Sequence, residues 1–172
     1  MKIKQQIENA NIDDLNTIYW LFEEAISYQK KKKYVGWNNY DKDFIVQDVK
    51  NKLQFKITQE NNTLCIFSVC FRDPIIWRKR EQGDAIYIHR IIVNPNFKGQ
   101  SQFKKVLNWA IEIALKKKLK YIRMETWADN SNLIEYYKSF GFQFIEYYTA
   151  PNSNDLPYQQ RNIKAALLEI KL

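Results

Sequence analysis

The sequence predicts a mixed α/β domain, one sheet with strands of both directions packed against helices. Three observations support this. Apolar residues repeat with a period of two in some segments and about 3.6 in others. The segments follow the order β-α-α-β-β-β-α-β-α-β-β, which places strands between helices. The chain has 172 residues with only 4 glycines and 4 prolines. That is enough for one full core and leaves no room for a flexible linker, so a single domain over residues 1–172 is expected.

Residues 1–9 form a short edge strand. Asn11 then suits a helix N-cap, with Asp13 and Asp14 in the first turn. Ile12, Leu15, Ile18, Tyr19, Phe22 and Ile26 recur at helical spacing, so residues 12–30 read as an amphipathic helix. A basic and aromatic loop, KKKKYVGWNNY, follows, and DKDFIVQDVKN forms a second, shorter helix. LQFKITQE and TLCIFSVCF are strands joined at a hairpin turn. RDPIIWRKREQGD reads as a loop. AIYIHRIIV is β-branched and almost continuously apolar, which predicts a central strand. Phe103, Val106, Leu107, Ala110, Ile111, Ala114 and Leu115 mark the clearest helix, and the lysines after it match the negative end of the helix dipole. YIRMETW is a strand. SNLIEYYKSF is a short helix, with Gly141 suited to its C′ position. FQFIEYY and AALLEIKL close the fold, with a polar loop, TAPNSNDLPYQQRN, between them.

Net charge is +8 and aromatics are plentiful, with 11 Tyr, 10 Phe and 5 Trp. A positive field attracts polyanions, whether nucleic acid, anionic membrane or a phosphorylated cofactor. Charge alone does not choose among them. Cys65 and Cys70 fall on opposite faces of one strand, so they do not pair and read as reduced cysteines of a cytoplasmic protein. The N-terminus has no apolar core of a signal peptide. No apolar run nears the roughly 20 residues of a membrane span. One histidine and two opposed cysteines give no metal cluster on this count.

The segment VNPNFKGQSQF, residues 93–103, carries the functional argument. A strand ends at Val93 and a helix begins near Ser101. The first backbone N–H groups of a helix lack internal partners and face a partial positive charge, which suits an anion. Gly99 lets the backbone approach a ligand closely.

At this point the sequence resembles the GNAT superfamily of N-acetyltransferases. Their signature is Gln or Arg, two residues, Gly, one residue, then Gly or Ala, after a strand ending near V-x-P. Here it becomes Lys98-Gly99-Gln100-Ser101-Gln102-Phe103, after Val93-Asn94-Pro95. A second segment, NSNLIEYYKSFGF, is similar to the family's N-x-x-A-x-x-x-Y-x-K-x-G-F motif, with Asn130, Tyr137, Gly141 and Phe142 on the expected spacing. The resemblance covers nearly the whole chain. It implies a GNAT-like acyltransferase fold that uses acetyl-CoA as co-substrate. It further implies that the amides of 98–103 hold the pyrophosphate, that the backbone of Ile91, Ile92 and Val93 pairs with the pantetheine arm, and that Asn130 bonds that arm. Asn130 equally suits an N-cap. Three departures stand out. Ser101 replaces a glycine, Phe103 replaces a small residue, and Lys98 keeps a charge without the fork of arginine.

Amine acetylation needs a base for the ammonium, donors for the oxyanion and a proton for the departing thiolate. Tyr137 matches the family's proton donor. Glu125 is the leading base. It stands five residues before Asn130, where the family's ribosomal-protein alanine acetyltransferases carry a base glutamate. Its aromatic neighbours are expected to raise its pKa. His89, on the neighbouring strand, is the second candidate base. Tyr34, Trp37, Arg90 and Trp127 are the candidate acceptor-pocket residues; Arg90 either binds an acidic substrate group or pairs with a carboxylate. With no cysteine near the thioester, the expectation is direct transfer to a primary amine of a small molecule or a peptide. No membrane is expected as a partner, nucleic acid is disfavoured, and a homodimer through the closing strands is common in such folds. The competing reading is a degenerate basic binding module for nucleic acid or protein, which Ser101 and Phe103 favour and Tyr137, Asn130 and Glu125 oppose.

Overall fold

A computed structural model describes residues 4–172. Seven strands form one sheet in the order β1-β2-β3-β4-β5-β7-β6. They are β1 (Gln5–Asn9), β2 (Gln54–Gln59), β3 (Asn62–Cys70), β4 (Ala85–Val93), β5 (Tyr121–Trp127), β6 (Gln143–Thr149) and β7 (Lys164–Lys171). β1 lies at an edge, as expected; residues 1–3 of the expected strand lie outside the described residues. β4 and β5 run parallel at the centre, and the other neighbours are antiparallel. Parallel neighbours require a crossover, and the helix α4 (Gln102–Lys116) supplies it.

The first helix starts through a reciprocal cap. Asn11 accepts from the Asp13 N–H at 2.8 Å, and Asp14 accepts from the Asn11 N–H at 2.8 Å. A single 3-10 turn, Ile12–Asp14, precedes α1 (Leu15–Lys31). Ile12 is exposed because it lies in the 3-10 turn, out of phase with α1; Leu21, outside the sequence stripe, is buried beside Ile18 and Phe22. The second helix, α2 (Lys42–Lys50), begins at Asp41, which accepts from the Phe44 N–H. Residues 74–80, expected as loop, form a short helix α3 (Pro74–Trp77) and a 3-10 turn. Asp73 caps α3 and Pro74 occupies its first turn. The fifth helix, α5 (Ser131–Lys138), ends at the cap Ser139. Gly141, at φ 99°, lies one position beyond the expected C′ site.

Helices cover both sheet faces. α4 and α5 bury Phe103, Val106, Leu107, Ala110 and Ile134 on one face against Cys65, Phe67, Val69, Ile86, Ile88, Ile122 and Met124. Leu115, expected in that stripe, is exposed because it lies at the helix end. α1 and α2 bury Ile18, Leu21, Phe22, Ile45 and Val49 on the other face against Ile66 and Ile92. α3 covers the rest of that face, with Ile76 and Trp77 packed on Tyr87, Ala165 and Leu167.

A bulge in β4 positions the site. Ser68 pairs with His89 and Ile66 with Ile92, so β4 spends three steps where β3 spends two. Arg90 absorbs the extra residue at φ 51°. The bulge also reverses the alternation. Ile86 and Ile88 face α4 before it, Ile91 and Val93 do so after it, and Ile92 turns to α1 and α2.

Candidate active site

Beyond the bulge the two central strands part. β4 pairs with β5 only from Ala85↔Tyr121 to Ile88↔Met124, while Glu125 to Trp127 continue along β7. From His89 to Val93, the β4 edge facing β5 therefore has no ladder partner. The gap is a cavity of about 140 Å³ lined by Arg90, Ile91, Glu125, Trp127, Tyr137 and Gln160, among others. It passes through the sheet, with Tyr137 of α5 on one side and Trp37 of the α1–α2 loop on the other. A larger cavity, about 480 Å³, continues along Ile91, Ile92 and Val93 to Lys98.

The loop after β4 is held by Asn94, which donates to the Thr63 carbonyl at 2.8 Å and accepts from the Asn96 N–H at 3.0 Å. Gly99 sits at φ 78° and Ser101 at φ 54°, ψ 40°, both left-handed. A side chain added at Gly99 would meet nothing within 4 Å, so the glycine serves backbone conformation and the space before it is open. Ser101 makes no side-chain cap. A left-handed serine cannot aim its hydroxyl back at its own helix in the usual extended cap geometry. The first N–H groups of α4 thus keep no side-chain cap. Gln100 and Ser101 are exposed, whereas Gln102 is buried. The Lys98 ammonium rests 4.2 Å from the centre of the Tyr28 ring on α1, where a positive charge faces an aromatic ring.

Phe103 turns into the core and is only 4% exposed. Its ring meets Tyr137 edge-on at 4.8 Å and Phe140 at 4.9 Å. The bulky residue in the signature therefore leaves the front of the loop clear and buttresses Tyr137 instead. Burial pushes the Tyr137 phenol above its ordinary pKa, with Tyr136 adding to the shift. It stays protonated and able to donate at neutral pH.

The acid–base cluster sits at the other end of the gap. Glu125 Oε1 lies 2.9 Å from His89 Nδ1 and accepts from the Gln160 amide at 2.8 Å. Glu125 Oε2 is buried with no partner. Burial favours the neutral carboxyl, but the His89 imidazolium and then Arg90 outweigh it and lower the Glu125 pKa. This corrects the expected rise. The aromatic strand neighbours were visible in the sequence, and the cation across the sheet was not. His89 is 8% exposed; burial disfavours its charge, yet Glu125 and Cys70 raise its pKa well above 6.5. His89 Nε2 points away from the gap, 3.3 Å from Cys70 Sγ and 3.8 Å from Asp73 Oδ2. His89 thus stands behind Glu125 and not beside the gap. Cys70 lines a separate cavity with Asp73, and Cys65 is buried with its thiol pushed up to about 12 by burial.

Asp73, His89 and Glu125 bring three possible ligand atoms within 4.8 Å of one another, a convergence that counting His and Cys missed. The protonated imidazole already supplies a cation between the two carboxylates. Asp73 and Gln160 are the site residues that sequence reasoning overlooked. Asp73 had a legible signal, an N-cap residue before a proline. Gln160 had none, since it is buried from within a polar loop.

Of the candidate acceptor residues, Trp37 and Trp127 meet edge-on at 6.5 Å across the gap. Arg90 takes the second of its two expected roles and pairs with Asp48 of α2. Tyr34 is exposed and lines a neighbouring cavity with Trp127 and Asn130. Asn130 caps α5, accepting from the Leu133 N–H at 3.0 Å.

Known proteins resemble the chain in sequence and in fold. An uncharacterized N-acetyltransferase of Methanocaldococcus jannaschii is 30% identical over 142 residues, covering 80% of this chain and 60% of that protein. The chain spans about 60% and 41% of the lengths of two curated relatives it matches. An acetyltransferase of the GNAT family from Listeria monocytogenes superposes with a TM-score of 0.78 at 19% identity, covering 98% of this chain and 95% of that one. A Salmonella typhimurium protein solved with its cofactor acetyl-CoA superposes with a TM-score of 0.65 at 16% identity, covering 98% and 94%. At these identities the structures show the shared fold. The sequence model of the acetyltransferase (GNAT) family matches residues 13–142, three-quarters of the sequence, and the chain therefore belongs to that family.

Proposed function

We propose that the chain transfers an acetyl group from acetyl-CoA directly to a primary amine, within a ternary complex. The observation that carries this reading is the gap between β4 and β5. It joins an unpaired strand edge to an uncapped helix start, and it holds a buried carboxylate oxygen without a partner.

These parts fit the co-substrate. The open edge at Ile91 to Val93 offers backbone donors and acceptors to an extended amide chain, as sheet edges do for added strands. The amides of Lys98 to Phe103 and the α4 dipole suit a diphosphate. The space before Gly99 is open, and the Phe103 ring is in the core. That removes the obstruction on which the binding-module alternative rested. The Salmonella neighbour, solved with acetyl-CoA, supports the same choice. When bound, acetyl-CoA supplies the activated acyl group.

The chain's own residues do the rest. Trp37 and Trp127 frame the acceptor side. Glu125 Oε2 takes a proton from the acceptor ammonium, whose ordinary pKa is near ~10.4. Backbone N–H groups of the β4 edge face the developing oxyanion. Tyr137 gives a proton to the departing thiolate. Neither cysteine lines the gap, which supports direct transfer over a covalent relay.

Calorimetric titration with acetyl-CoA, CoA and desulfo-CoA tests the reading. Micromolar binding, about −8 kcal/mol, is expected. No binding at millimolar concentration would overturn it.

A further inference from the structure

Acetylation of an ammonium by a thioester yields an amide, a thiol and one free proton. That proton is first taken up by a carboxylate buried in the interior. We propose that Glu125, His89 and Asp73 form a relay that carries it through the protein interior into a second cavity, with Asp73 as the exit group. This rests on the function proposed above.

The geometry is a chain of three buried ionisable groups linking two cavities. Glu125 lines the 140 Å³ gap, and its Oε2 is buried without a partner. Glu125 Oε1 meets His89 Nδ1 at 2.9 Å, and His89 Nε2 faces Asp73 Oδ2 at 3.8 Å. The side chains of Glu125 and His89 are each 7% exposed, and that of Asp73 is 9% exposed. Asp73 and His89 line the second cavity, about 200 Å³, between α2, α3 and the β6–β7 loop. Gln160 borders both cavities and holds the Glu125 oxygen in place.

The proton count closes. Glu125 takes a proton from the ammonium and loses the charge that held the imidazolium. His89 passes its Nε2 proton to Asp73, which releases it to the second cavity. The neutral imidazole swings about its Cα–Cβ and Cβ–Cγ bonds to bring bare Nε2 to Glu125, takes the proton held there and swings back to face Asp73. The 3.8 Å step exceeds a hydrogen bond, so a small rotation of Asp73 or a bridging water closes it.

The charges around His89 are consistent with this direction. From β3, Cys70 Sγ stands 3.3 Å from Nε2. From β4 itself, Arg90 is neutralised by Asp48 of α2. Arg72 and Asp155 line the second cavity, and Glu81 acts on Asp73. Burial raises the Asp73 pKa to about 6, against the pull of His89, so Asp73 exchanges protons easily near neutral pH.

His89 is the chain's one histidine, so its ring nitrogens are a unique NMR reporter. Titration of the full protein should show an imidazolium persisting above pH 6.5, with the midpoint lowered in Asp73→Asn and lowered further in Glu125→Gln. Asp73→Asn keeps the α3 cap, and its kcat should fall about tenfold or more at unchanged KM. Asp73→Ala should recover turnover with added formate, which reaches the vacated place from the second cavity. Cys70→Ala should leave kcat within about twofold. A His89 midpoint unmoved by Asp73→Asn overturns the relay, and so does full turnover in that variant. Loss of turnover in Cys70→Ala but not in Asp73→Asn also overturns it. The NMR arm needs no acceptor, so an unmoved midpoint overturns the relay even if no acetyl transfer is found.

Discussion

Replacing Ser101 by glycine is expected to stabilise the protein, although it removes a polar side chain from a helix start. Ser101 adopts φ 54°, ψ 40° and makes no cap. A side chain in the left-handed region costs roughly 1–2 kcal/mol. Glycine removes that strain but loses more backbone entropy on folding, about 0.5–1 kcal/mol. The balance is a gain of about 0.5–1 kcal/mol, or roughly 1–4 °C in Tm for a chain of this size. Urea denaturation should show a higher midpoint at an unchanged m-value. Gly99→Ala is the mirror experiment. Its φ is 78° and the added methyl meets nothing within 4 Å, so no clash adds to the strain and stability should fall by about 0.5–1 kcal/mol. Lower stability in Ser101→Gly, or no change in Gly99→Ala, would refute the reasoning. Acetyl-CoA affinity reads a separate question. If the Ser101 hydroxyl bonds a phosphate, affinity drops in Ser101→Gly while stability rises.

Tyr137→Phe should cut kcat by about 10²-fold or more, while calorimetry finds acetyl-CoA affinity nearly unchanged, because the ring still packs on Phe103; unchanged turnover would remove Tyr137 from the chemistry, given a chemical step that limits the rate. Asp73→Asn should stabilise the protein at pH 8 more than at pH 4. The folded pKa of Asp73, about 6, lies above its unfolded value of 3.8. Its contribution is therefore favourable below about pH 4 and is lost as pH rises through about 6, by up to about 3 kcal/mol. A neutral amide does not incur that loss. Equal effects of the substitution at both pH values in urea denaturation would contradict the burial of this carboxyl.

What the sequence makes legible is what local chemistry decides. The stripe Phe103–Val106–Leu107–Ala110 specifies α4 because four apolar residues on one face must be buried together. YIRMETW is read to its ends as β5. Short and irregular elements escape, because their cause is tertiary. α3 spans four residues, too few for a period, and only Asp73-Pro74 hints at it. The β4 bulge leaves no mark in AIYIHRIIV, since isoleucine serves either face equally well. Yet that bulge ends the pairing with β5 and creates the gap. Glu125 shows the same limit in its charge. Strand alternation places it correctly beside Trp127, but its ionisation is governed by His89, 36 positions away in sequence and 2.9 Å away in space. Phe103 shows the reverse case. As a replaced residue in a phosphate-loop signature it suggested a blocked site. Its ring follows the stripe of α4 into the core, so the backbone alone is left to form the loop. The signature is a rule about backbone space and backbone conformation. A large residue satisfies it when its side chain has somewhere else to go, and a serine satisfies it at the cost of strain.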